Sequence, residues 1–314
     1  MGSRDVDKAA KFALREYGAS YSTVATQSNR FGQFSRFIRQ RHDIKDLRWV
    51  QKHHVIEYID HLNDLIEQEV RPITAKTAHN RLSAVNRVLE QARGDKDVWV
   101  SPSKYLPSKS GITTYNRAPS DDLVMSAGAQ LRYMKHGERY SVMADVCDQF
   151  GLRFKESVML DYKKALKEAV ENGAITVFRG SKGGKSRVIP LTSPSQLNVL
   201  SQGAHVQSRA SNLIPSDLSY NQFRGAAYRA IAKTSLNGWH GLRHRYAQRR
   251  YRALTKVACP VSIGIKHGVM HHRYIANTNG CPLQEAKLLD RQARERIAEE
   301  LGHRRAEITN SYLG

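Results

Sequence analysis

Apolar residues recur at helical spacing through the first 95 residues of the chain. Phe31, Phe34, Phe37 and Ile38 form one stripe, Val55, Tyr58, Ile59, Leu62, Leu65 and Ile66 a second, and Ala78, Leu82, Val85, Val88 and Leu89 a third. Intervals of three and four residues place each set on one face of a helix. The opposite faces are rich in Arg, Gln, Asn and His. This pattern predicts a helical bundle, and by itself fits a bundle with wet faces as well as one laid on a phosphate backbone. The periodicity then stops. Pro102, Pro107, Gly111, Thr113, Thr114 and Pro119 punctuate a polar stretch that predicts a linker.

Helical patterning resumes near Asp121 and continues through Val142–Phe150 to Asp161. The period then changes from 3.6 to two. Ala174–Arg179 and Arg187–Leu191 are short β-prone runs separated by GSKGGKS, which predicts a hairpin with a basic tip. Helices are predicted again from Asn221 to Ala232, from Gly241 to about Leu254, and from Asp290 to Leu301. No internal repeat interrupts this order. The expected architecture is mainly α with a small β-hairpin element, in two domains, 1–110 and 117–314.

Charge sharpens the picture. Of the 314 residues, 50 are Lys or Arg and 29 are Asp or Glu, a net +21. Residues 1–116 hold 19 basic and 13 acidic side chains, so 117–314 carry +15 of the total. Between Asn172 and Gln284 there are 16 basic residues and one acid, Asp217. A solvated face would intersperse both signs, so this block points to a polyanionic partner, and nucleic acid above all. No segment combines a basic face with exposed aromatics as membrane binding needs, and no apolar run approaches a membrane span. The N-terminus lacks an apolar signal core. Cys147, Cys259 and Cys281 are few, odd in number and unevenly spaced, which argues for a reducing, cytoplasmic setting without a disulfide framework.

No Walker loop, HExxH or paired CxxC signature occurs. Scattered basic groups and one late tyrosine do: Arg153 in GLRFKE, Lys182 in the hairpin tip, His240 and Arg243 in HGLRHRYA, His303 in LGHRR, and Tyr312 in SYLG. Each triplet alone is common. Together and in order they resemble the boxes of the tyrosine recombinase (phage integrase) family. Gly151-Leu152-Arg153 with Glu156 resembles the first arginine box. Lys182 with Gly183, Lys185, Arg187 and Pro190-Leu191 resembles the hairpin lysine segment. His240 to His244 resembles the H-x-L-R-H box, and Leu301-Gly302-His303, with His303 nine residues before Tyr312, the final one. The motifs cover 151–314; the N-terminal part is similar to the family's SAM-like core-binding domain in helical pattern only.

The resemblance implies a site-specific recombinase that integrates or excises a mobile element through a 3′-phosphotyrosine. Arg153 and Arg243 would grip the non-bridging oxygens of the phosphodiester, and His303 would donate a further hydrogen bond. Lys182 would protonate the leaving 5′ oxygen, His240 would assist proton removal from the phenol, and Tyr312 would attack. The residue types suit that chemistry independently: arginine stays charged and binds phosphate oxygens bidentately, while a phenol of ordinary pKa near 10 needs a base and cationic surroundings. No metal and no cofactor is expected. The implied partner is double-stranded DNA with specific recombination sites, bound by a dimer on each site and a tetramer in the synapse, in a prokaryotic, nucleoid-associated setting. A Xer-like chromosome dimer resolvase and a catalytically idle DNA-binding protein of the same fold are the alternatives.

Structural readings compete at several positions. Arg153 could serve only as an ion-pair partner of Glu156, which itself reads as structural. Lys185 lies in the same loop as Lys182 and could replace it. His303 could act on a helix dipole. Two features depart from the family's pattern. The interval from His240 to His303 is long, the excess falling near 255–290 with Cys259, His267, His271, His272 and Cys281. Their spacing matches no common zinc finger, and the expected reading is an inserted basic loop that contacts DNA or a neighbouring subunit. Many members also continue past the tyrosine into a helix that docks on the next subunit, whereas this sequence ends two residues after Tyr312.

Overall fold

The computed structural model describes residues 5–236 and 238–314, which divide into two compact units, 1–110 and 111–314. In the first, α1 (Val6–Glu16), α2 (Tyr21–His42), α3 (Lys52–Glu67) and α4 (Ala75–Arg93) form the bundle, followed by a single turn, α5 (Pro102–Tyr105). Side-chain caps start these helices. Asp5 accepts from the Lys8 amide, Ser20 from Thr23 and Thr74 from Thr77, each satisfying an amide that lacks an intrahelical partner. The three sequence stripes converge on one core. Phe31, Phe34, Ile38, Tyr58, Leu62, Leu82 and Val85 are buried within it, and Leu65 and Ile66 lie at its rim. The rings of Phe34 and Tyr58 meet edge-on at 5.1 Å. Each such aliphatic or phenylalanine side chain contributes about 1.5–3 kcal/mol by leaving water.

The second unit begins with α6 (Asp121–Arg132), α7 (Gly137–Phe150), α8 (Phe154–Met159) and α9 (Tyr162–Asn172). Strands β1 (Ala174–Val177) and β2 (Arg187–Pro190) then pair antiparallel in the only sheet among the described residues. Their register, Ala174 opposite Pro190 and Val177 opposite Arg187, sends Ile175, Val177 and Ile189 into the core. After α10 (Pro194–Val206) and α11 (Tyr220–Ile231) comes α12 (His240–Thr255), the central helix, whose Leu242, Tyr246, Ala247 and Tyr251 are buried. It packs against α7 and against a later helix, Leu283–Leu301.

Between them lie α13 (Pro260–Ile263) and α14 (Val269–Asn279), then α15 (Leu283–Leu301) and the last turn, α16 (Asn310–Leu313). Three expectations are corrected by the structure. The stretch near 255–290 is not a loop, because α14 packs on α15 and buries His271 and Ile275. Helix α15 also starts seven residues earlier than the periodicity suggested. Pro282 sits at its N-cap, where proline removes no hydrogen bond the helix needs. The stretch 111–119, read as a linker, is bonded into the second unit: the Thr113 amide donates to the Asn310 carbonyl at 3.0 Å. No helix among the described residues is long and apolar enough to cross a membrane.

Candidate active site

Four distant segments meet around one buried guanidinium. Arg243, one turn into α12, is 0% exposed. Its Nη1 donates to the Gly151 carbonyl, and its Nη2 donates to the Leu301 carbonyl at 2.5 Å and to His303 Nε2 at 3.3 Å. Its Nε donates to the Tyr312 phenol oxygen at 3.2 Å. Gly151 closes α7 and Leu301 ends α15, so both carbonyls are helix-end acceptors that lack intrahelical donors. Arginine offers donors only. His303 Nε2 is therefore the lone-pair atom of its contact, and the phenol oxygen accepts, leaving its own proton free to go elsewhere.

Tyr312 is 5% exposed. Its ring centroid lies 4.6 Å from that of His244, 5.6 Å from His303 and 5.7 Å from His240. The short helix that carries it is held from several sides. Arg294 Nη1 donates to Asn310 Oδ1 at 2.8 Å and Nη2 to the Gly314 carbonyl at 3.1 Å, while Gln248 Nε2 donates to the Tyr312 carbonyl at 3.3 Å.

A second charged group flanks the first. Glu156 is 0% exposed and receives two arginines. Arg153 donates to it through its amide and through Nη1, both at 2.8 Å. Arg187 makes a bidentate pair with the same carboxylate at 2.9 and 2.7 Å, and its Nε donates to the Glu300 carbonyl at 2.7 Å. Burial alone would raise the Glu156 pKa. The hydrogen bonds and charge of Arg187, joined by Arg153, overcome it and draw the group down to about 2. Arg187 is thus engaged through all three of its nitrogens, whereas the Arg153 side chain is 26% exposed and bound through one terminal nitrogen.

Burial and the same cations together keep the histidines neutral. Burial, then Arg243, Arg153 and Arg187, lower His303 to about 3. Burial, then His240, Arg117 and Arg243, lower His244 to about 4. His240 falls to about 4 through burial and the charges of Arg243, Arg153 and Arg117; since the residue is open to solvent on one side, the cations are the firmer cause. Burial lowers Arg243 to about 10, still cationic at neutral pH.

Of the residues singled out in the sequence, Arg153, His240, Arg243, His303 and Tyr312 are therefore brought together. Lys182 is not. It stands exposed on the tip between β1 and β2, and no hydrogen bond or ion pair joins it to the cluster among the described residues. Lys185 is equally exposed, so the geometry does not separate the two. The sequence reading undervalued Arg187 and His244. Arg187 shares the inward face of β2 with Ile189, and a cation at an inward strand position calls for a buried acid. His244 follows His240 by one helical turn, the spacing that puts both on one face.

In the segment near 255–290, His267 and His272 each place Nε2 3.4 Å from Asp290 Oδ2, and these three residues could between them offer a cation three ligand atoms. Asp290 is already engaged. Arg294 Nε lies 3.0 Å from both of its oxygens, and Tyr251 donates to Oδ1. A guanidinium on the carboxylate opposes a dication there, so the trio does not fit a metal.

The integrase family profile matches residues 111–249. Among solved structures, the Tn1549 transposon integrase (residues 82–397) in complex with circular intermediate DNA is similar to the chain at 12% identity. The match covers 99% of this chain and 96% of that one, with a TM-score of 0.51. A lambda integrase dimer bound to a COC′ core site is similar at 13% identity over 90% of this chain and 75% of that one, TM-score 0.51. No curated protein matches the chain in sequence. The chain thus resembles integrases in the profile over 111–249 and shares the fold of these DNA-bound integrases.

Removing the Glu156 charge should destabilise the second unit. Glu156→Gln leaves two partly or fully buried arginines short of a counter-charge, an effect of about 3–5 kcal/mol. The folded pKa is depressed, so the carboxylate's contribution is complete above the unfolded value near 4.5 and is lost as pH falls toward about 2. Urea unfolding of both proteins should show a gap that is constant above pH 5 and narrows below pH 4.5. A gap independent of pH would mean that the charge is not what stabilises.

Proposed function

We propose that the protein is a tyrosine recombinase that cleaves and rejoins DNA at specific sites through a 3′-phosphotyrosine on Tyr312, integrating or excising a mobile element. The observation that carries this reading is the direct hydrogen bond from the buried Arg243 Nε to the Tyr312 hydroxyl, with neutral histidines packed around the ring. A phosphodiester resists attack because its own anionic oxygens repel a nucleophile. In the proposed encounter its non-bridging oxygens take up donors of Arg243 and the open side of Arg153, and His303 adds a hydrogen bond. One such preorganised donor is worth about 10²- to 10³-fold in rate.

His240, neutral at working pH, accepts the phenol proton as the oxygen attacks phosphorus. The P–O5′ bond breaks and the 5′ oxygen takes a proton from Lys182. The phosphotyrosyl ester retains the bond energy, and the reverse attack by a 5′ hydroxyl reseals the strand. None of these steps requires ATP or a metal. The family and the lambda integrase dimer on its core site support double-stranded DNA as partner, with one dimer on each site and two dimers in the synapse. The prokaryotic cytoplasm, at the nucleoid, suits the three free cysteines.

Tyr312→Phe removes one hydroxyl, so it should bind DNA as well as the parent protein and never attach to it. A nicked suicide duplex run on a denaturing gel checks this; an adduct that persists in the variant places the nucleophile elsewhere. The lysine has a separate test. Lys182→Ala should cripple cleavage of ordinary DNA far more than Lys185→Ala. Replacing the bridging 5′ oxygen by sulfur, whose thiolate leaves without protonation, should rescue Lys182→Ala but not Arg243→Ala. Rescue of Lys185→Ala instead would shift the role by three residues.

A further inference from the structure

One cavity shares a wall with the cluster around Tyr312. It encloses about 440 Å³ and is lined by Asn116, Arg117, Leu236, His240 and His244, among others. Its wall depends on Gly241. A Cβ there would stand 3.0 Å from the Arg117 carbonyl oxygen and 3.5 Å from Pro119 Cδ, so any side chain would press the 117–119 segment off the first turn of α12. Asn116 fixes the same segment from the other end, its Oδ1 accepting from the Ala118 amide at 3.0 Å and from Gln248 Nε2 of α12 at 2.9 Å.

Arg117 therefore stands on a fixed backbone beside His240. It is exposed, and no hydrogen bond or ion pair engages its guanidinium among the described residues. Asp121, a few residues on, is already taken by Arg245. The Arg117 charge reaches both cavity histidines, where it is one of the causes of their lowered pKa. His244 supplies the second observation. It is 3% exposed and lines the cavity, yet its Nδ1 has no hydrogen-bond partner. An exposed cation free of partners and a buried histidine thus border one cavity, and His240, whose ring is 5.7 Å from that of Tyr312, forms part of its wall.

We infer that this cavity is a second phosphate subsite, in which Arg117 grips the phosphodiester adjoining the scissile one on the cleaved strand. The inference rests on Tyr312 as the nucleophile and extends that reading by one nucleotide. Successive phosphates of a strand lie side by side along the backbone. A cation set apart from Arg243 and Arg153 across His240 meets the neighbour of the phosphate those arginines hold. Gripping two consecutive phosphates fixes the direction of the strand across the nucleophile, which a single phosphate contact leaves free to rotate.

The test uses the full chain and a suicide duplex built from the mapped ends of the element that carries the gene. Arg117→Ala should lower adduct formation at sub-saturating enzyme about tenfold and flatten the log–log salt dependence of binding by about one unit. Arg117→Lys should recover most of the loss. Arg117 is exposed and its side chain unpaired, so an unchanged melting temperature separates this effect from misfolding. A neutral methylphosphonate at the adjoining phosphate should cost the parent protein the same tenfold and cost Arg117→Ala nothing further. Additive losses, or no loss in Arg117→Ala, overturn the subsite while the parent adduct leaves the Tyr312 reading standing. Absence of any adduct with the parent protein overturns that reading and the subsite with it.

Discussion

A guanidinium with no exposure to solvent must find acceptors for its N–H groups inside the protein, because burying a charge unpaired is prohibitive. Arg243 finds them at the ends of two helices and at one phenol. That requirement organises the second unit. The α7 chain must turn sharply at Gly151 and the α15 chain at Gly302, each in the left-handed region at φ 63° and 68°. Neither position has room for a side chain. A Cβ on Gly151 would run into the Tyr246 ring, and one on Gly302 would stand 2.9 Å from Arg187 Cδ. The short motifs GLR and LGH are thus in part the steric consequence of bringing two helix ends onto one arginine.

Glu156 is the counterpart that makes the rest of the charge tolerable. It is the only carboxylate bonded to Arg153 or Arg187 among the described residues, and both share it. The division is unequal, and the inequality has chemical meaning. Arg187, bidentate and also bound to the Glu300 carbonyl, has little left to offer a ligand and acts as a strut between β2 and α15. Arg153 keeps part of its fork open. Burial, reinforced by the excess positive charge that remains, holds His240, His244 and His303 neutral, and a neutral imidazole can accept a proton where an imidazolium cannot.

How much of this was legible in the sequence depends on the kind of interaction. The bundle stripes were, because burial on a helix repeats at three and four residues; Phe34, Tyr58, Leu82 and their neighbours form the core that their spacing implies. The hairpin was also legible, since Ile175, Val177 and Ile189 alternate inward. The clustering of Arg153, His240, Arg243, His303 and Tyr312 came from resemblance rather than from periodicity, which carries no information about pairs separated by 58 to 92 residues, such as Arg243 with Leu301 or Gly151. The double use of Glu156 was hidden for the same reason, its second partner lying 31 residues away across the hairpin. Helix α14, bounded by Gly268 and Gly280, was missed because it buries only His271 and Ile275, too few positions to show a stripe.

The segment that lengthens the chain between His240 and His303 is wired to the turn that carries Tyr312. Asp290 on α15 collects His267, His272 and Tyr251 and pairs with Arg294. Arg294 passes the connection to Asn310 and Gly314, on either side of Tyr312. Rotating a four-residue helix such as α16 would cost little by itself, since so short a helix has little stability of its own. Its position is set instead by Arg294, Gln248 and the Thr113 amide, all from outside the turn. Tyr312, the proposed nucleophile, and Arg153 and Arg243, the proposed clamp, therefore stand on a cross-braced frame, while Lys182 stands alone on an exposed tip. That division suits a reaction whose attacking and charge-stabilising groups must be in place beforehand, and whose leaving-group proton is needed only once a strand lies across the site.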